Sequence, residues 1–100
     1  EKETPVSHMY MVKDIQIMTE KQINAWCKEN KLELPKVIEH NFLGEMCYKC
    51  TIEKKMPKGN YATIGKHAGG KGESKDLVRH KAYCAAKQRI DEQNQRTYMR

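Results

Sequence analysis

Long apolar runs are missing from this sequence. No stretch of its 100 residues approaches the ~20 consecutive apolar residues that a membrane span requires. No apolar leader segment opens it either, so neither a membrane-spanning nor a secreted chain is expected. Large aromatic residues are scarce, with one Trp and one Phe beside five Tyr. A single domain with a modest core is therefore expected, too small to enclose a deep reaction pocket. Acidic residues are nearly absent from one third of the chain. Between Lys54 and Arg89, ten Lys or Arg face only Glu73 and Asp76, whereas residues 1–53 carry seven lysines against nine acids. The whole excess of the +6 net charge thus sits in one segment, as in proteins that bind a polyanion.

Two kinds of chemistry are also missing. The phosphate-binding pattern Gly-x-x-x-x-Gly-Lys-Ser/Thr is broken, because "GGKGESK" places Gly after its lysine. No cysteine stands in a nucleophile context, although His40, His67 and His80 are available, so an enzyme is not expected. The four cysteines are Cys27, Cys47, Cys50 and Cys84. They lie among helical patterns that do not suit a disulfide scaffold, which favours reduced thiols and an intracellular setting, nuclear or cytoplasmic. A zinc site would need Cys47 and Cys50 beside His80 and Cys84. In a strand, however, Cys47 and Cys50 point to opposite faces, and no metal or other cofactor is expected.

What is present reads as an α-β-β-β-α order. Residues 1 to 18 have no clear period and read as an arm, with Ile15 and Ile17 alternating briefly. Thr19 and Gln22 have capping-box spacing and start a helix. Ile23, Trp26, Cys27 and Asn30 form its inward stripe, and Pro35 predicts an end near Leu32. "KVIEHNF", "MCYKCTIEKK" and "NYATIGKH" read as three strands separated by turns at Leu-Gly-Glu and Lys-Gly-Asn. Ser74 is a good N-cap for a long helix carrying Val78, Ala82, Ala85, Ala86 and Ile90 on one side. It runs into a polar end at 92–100. The expectation is an α+β domain over 19–91, a three-stranded antiparallel sheet with two helices packed on one face.

The glycine-rich entrance to the second helix, "IGKHAGGKGESK", is the most informative stretch. A single-strand RNA clamp of the KH type would place such a loop between two helices. Here a β-prone segment precedes it. Element order and motif instead resemble the double-stranded RNA-binding domain family. The family's second helix opens G-x-G-x-S-K-K-x-A-K, and this chain has Gly70, Gly72, Ser74 and Lys75, then Asp76, Val78 and Arg79 at the matching places. Ala25-Trp26-Cys27 is similar to the first such domain of helicases of the RNA helicase A type.

The resemblance implies binding to A-form double-stranded RNA by shape, with phosphate contacts from Lys75, Arg79, Lys71 and Lys66. It places Lys21, Asn24 and Lys28 of the first helix in one minor groove, and His40 and Asn41 near the next. The chain departs from the pattern at Ala25, where many members carry glutamate, and lacks the Gly-Pro-x-His of the first hairpin. Asp76 replaces a lysine, and the loop before Ser74 is longer. The alternative is that the fold serves as a protein-docking or self-association module, with Trp26, Tyr83 or the Tyr98-Met99 tail as its apolar patch.

Overall fold

The computed structural model describes residues 16 to 98, so most of the expected arm, and Met99, lie outside the described residues. In chain order the elements are α1 (Glu20–Glu29), β1 (Lys36–Phe42), β2 (Glu45–Lys55), β3 (Tyr61–Ala68) and α2 (Lys75–Tyr98). The sheet is antiparallel with strand order β1-β2-β3, and both helices pack on one of its faces. This is the expected α+β architecture.

Helix α1 begins as its capping box requires. The Thr19 hydroxyl accepts from the Gln22 N–H at 3.1 Å, and the Gln22 side chain accepts from the Thr19 N–H at 3.0 Å. It ends earlier than Pro35 alone suggests. Lys31 takes a left-handed φ of 61°, so the Leu32 N–H bonds back to the Cys27 carbonyl at 2.8 Å and the Lys31 N–H to the Lys28 carbonyl at 3.1 Å. That closes the helix in a Schellman motif and carries Leu32 into the core.

Strand alternation divides β1 and β2 cleanly. Val37 pairs with Cys50 on the helix side, whereas Ile38 pairs with Lys49 and His40 with Cys47 on the opposite side. Ile23, Cys27, Cys50, Ile52, Val78, Ala82 and Ala86 make one buried cluster. Cys47 is buried as well, but outside that cluster, as the alternation predicts.

A register shift opposite Ile52 and Glu53 leaves Ile64 as an extra residue in β3, so Ile64 and Gly65 are both buried. There α2 lies directly on the strand. A Cβ on Gly65 would stand 2.5 Å from the Ala86 nitrogen and 2.6 Å from the Ala82 carbonyl oxygen, so only glycine allows this approach. Ser74 caps α2, its hydroxyl accepting from the Leu77 N–H at 3.1 Å. The helix continues through the polar residues to Tyr98 instead of fraying near Asp91.

Candidate nucleic-acid interface

The loop from β3 into α2 is held by one carboxylate. Glu73 accepts from the His67 Nε2–H at 2.9 Å, from the Gly70 N–H at 3.3 Å and from the Lys81 ammonium at 3.4 Å. Burial alone would raise this carboxyl above its usual range, but His67, the Gly70 amide and Lys81 together hold it below. The Gly69 N–H continues the strand pairing by donating to the Tyr48 carbonyl at 2.8 Å. The entrance to α2 is therefore a fixed platform. No sequence pattern marked Glu73, because its partners come from a strand, a turn and a helix.

Lys75 leaves this platform exposed, its ammonium 5.5 Å from the centre of the Tyr48 ring. Lys71 is exposed too and reaches the Glu45 carboxylate at 3.2 Å, which ties the loop to the start of β2. The N-terminal end of α2 adds its dipole to the two ammonium groups. Arg79 departs from the expected outward stripe. It is 8% exposed, and its guanidinium donates to Asp76 at 2.8 Å. The reason is helical phase: Arg79 stands next to Val78 and flanks the Val78-Ala82-Ala86 stripe that faces the sheet. A salt-bridged arginine packed under the helix does not face a ligand. Lys75 escapes that burial at the very start of the helix.

On α1, Lys21 and Lys28 are exposed and Asn24 half-exposed, and with Glu20 and Ala25 they line a shallow hollow of about 420 Å³. The helix is oriented by its other side. Trp26 meets Tyr83 edge-on with ring centroids 5.0 Å apart, and the Met18 N–H donates to His80 Nδ1 at 3.3 Å. His80 therefore carries its proton on Nε2, which points at Cys84 Sγ 3.5 Å away. The buried Tyr83 and half-buried Trp26 thus belong to the helix packing, not to an open apolar patch.

The remaining expected residues separate. Asn41 lies at the β1–β2 hairpin, where its Oδ1 accepts from the Gly44 N–H at 3.0 Å. His40 and Lys66 lie on the sheet face away from the helices, and His40 Nε2 is buried with no hydrogen-bond partner. The hairpin tip itself is apolar: Leu43 is 86% exposed between exposed Phe42 and Met46, in a two-residue turn with φ of 54° at Leu43 and 80° at Gly44. A leucine in left-handed backbone costs about 1–2 kcal/mol, so the turn is not chosen for its own stability.

The structure thus places Lys71 in the loop before α2 and Lys75 at its first residue, and groups Lys21, Asn24 and Lys28 on α1, with both helices on the same side of the sheet. Arg79, Lys66 and His40 fall outside that arrangement. No protein-family model matches the chain, and comparison with curated proteins and with solved structures found no match.

Proposed function

We propose that this domain binds A-form double-stranded RNA by shape, as a module of a larger RNA-processing or helicase protein. Lys71 and Lys75 meet phosphates across the major groove. The polar stripe Lys21-Asn24-Lys28 lies in one minor groove, and the β1–β2 hairpin lies in the next. The observation that carries the reading is the pair of exposed lysines on a rigid, glycine-turned helix entrance, within an α-β-β-β-α fold whose first helix presents a second polar stripe. Such a module spans ~16 bp and reads backbone and 2′-hydroxyl groups, not sequence. Glu45 and Asp76 stand beside the lysines and repel phosphate, so binding is weak and strongly salt-dependent. The domain performs no chemistry of its own and acts inside the cell, where duplex RNA is found.

The exposed Phe42-Leu43 tip favours a second reading, in which the same fold docks on a protein partner through its hairpin. An anisotropy titration with a ~20 bp RNA duplex, competed by DNA duplex and single-stranded RNA, separates the two. Duplex RNA competing best is the expected result. Absence of any duplex RNA binding leaves the docking reading.

A further inference from the structure

The sheet face turned away from the helices carries its own charge pattern, which the duplex reading leaves unused. Along β1 it presents Lys36, Ile38, His40 and Phe42; along β2, Glu45, the buried Cys47, Lys49, Thr51 and Glu53, so its cationic end lies toward Lys36, Lys49 and Lys66. On β3 it presents Lys66 opposite Thr51, and Tyr61 opposite Lys55. Lys36, Thr51 and Lys66 form one row across the three strands, and Lys49 stands one step along β2. Strand spacing and rise set these three lysines about 8 to 10 Å apart, near one Debye length at physiological salt. Lys36 approaches Glu53 at 3.9 Å. Among the described residues, Lys49 and Lys66 have no acidic partner within ion-pair distance. Between them the face is hollowed, with a volume of about 560 Å³ lined by Lys49, Thr51, Glu53, Thr63 and Lys66.

Apolar side chains interrupt this cationic centre instead of covering it. Ile38 is 51% exposed beside Lys49, and an exposed aromatic ring stands near each end of the face, Phe42 at 56% and Tyr61 at 52%. No helix among the described residues packs on this side.

We propose that this open face is a second nucleic-acid surface, which takes a single strand with its phosphates on Lys49, Lys66 and Lys36 and its bases against Tyr61 and Phe42. Exposed rings favour a single strand over a duplex, because a duplex keeps its bases stacked inside while a single strand can lay them on a ring. Exposed lysines this close, two of them without an acidic partner among the described residues, favour a polyanion over an apolar partner, since phosphate relieves their mutual repulsion. The proposal does not rest on the duplex reading, whose lysines stand at the entrance of α2 and on α1.

The test is an anisotropy titration of the full chain with a labelled oligo(U) of about 12 nucleotides, within the usual site size of such surfaces. Lys49→Glu and, separately, Tyr61→Ser are each expected to weaken oligo(U) binding about tenfold. Lys71→Ala/Lys75→Ala is expected to leave it within about twofold. Melting curves matching the wild type show that these exposed substitutions leave the fold intact. Oligo(U) binding that is absent, or unchanged in both open-face variants, overturns the proposal. So does an acidic decapeptide that displaces oligo(U) and binds more tightly through Lys49. A blunt ~20 bp RNA duplex titrated in parallel reports on the other surface. Its binding can fail while the open-face result stands, and the reverse.

Discussion

Arg79 shows how one residue's phase on a helix decides its role. A spacing of four from Lys75 puts the two on one side of α2, but that side turns toward the sheet within a single turn. Asp76 then holds the guanidinium at 2.8 Å and adds a negative charge beside Lys75. Asp76→Asn removes the charge nearest the expected phosphates and loosens Arg79. We predict that it tightens duplex RNA binding about two- to fivefold, read by anisotropy at fixed salt. Weaker binding by this variant would show that Asp76 has a positive role in the site.

Glu73 is the second residue with a defined consequence. Folding lowers its carboxyl from the usual 4.5, so the stabilisation it gives is complete above that pH and is lost as pH falls through the lower native value. Glu73→Gln is expected to cost about 1–2 kcal/mol at neutral pH. Because the variant does not titrate, its urea-denaturation midpoint should converge on the wild-type midpoint toward pH 3. A constant gap between the two at every pH would mean that the carboxylate's charge is not what holds the loop.

At the scale of elements, the tightest constraint is the contact of α2 with β3 at Gly65. A methyl group there meets helix backbone, which cannot swing aside. Gly65→Ala should therefore cost about 1–3 kcal/mol in denaturant melts, at the upper end of that range. A cost near zero would mean that α2 can slide on the sheet. The same scale shows what the sequence reveals. Both helix starts are legible because Thr19 and Ser74 are capping residues whose oxygens take orphan amides. The three strands are legible from alternation about Cys50 and Ile52. The end of α1 and the tip of the first hairpin are harder, because Lys31 and Leu43 adopt left-handed backbone without being glycine or asparagine. In the candidate site, the exposed stripe Lys21-Asn24-Lys28 follows from the helical spacing of α1, and Lys75 from the Ser74 cap before it. Arg79 is harder to read, because its place beside the Val78-Ala82-Ala86 stripe turns it toward the sheet although the loop motif alone would point it outward. The platform under Lys75 depends on Tyr48, His67 and Glu73, which meet only when the chain folds.

At the scale of the whole molecule, the sheet separates two cationic surfaces. One side carries the helices with Lys75 and the α1 stripe, with Lys71 in the loop beside the start of β2; the other carries Lys36, Lys49 and Lys66 on strands that no described helix covers. Of these three only Lys66 belongs to the basic segment 54–89, whereas Lys36 and Lys49 come from the preceding part of the chain. Duplex phosphates held by lysines on the helix side would make binding depend steeply on salt. Wild-type protein and Lys71→Ala/Lys75→Ala should be titrated with a ~20 bp RNA duplex from about 50 to 200 mM salt. The account predicts weaker binding by the variant and a log K against log salt slope shallower by about one unit for each lost phosphate contact. The same affinity and slope in both proteins would contradict it, and would move the RNA, if it binds at all, away from the entrance of α2.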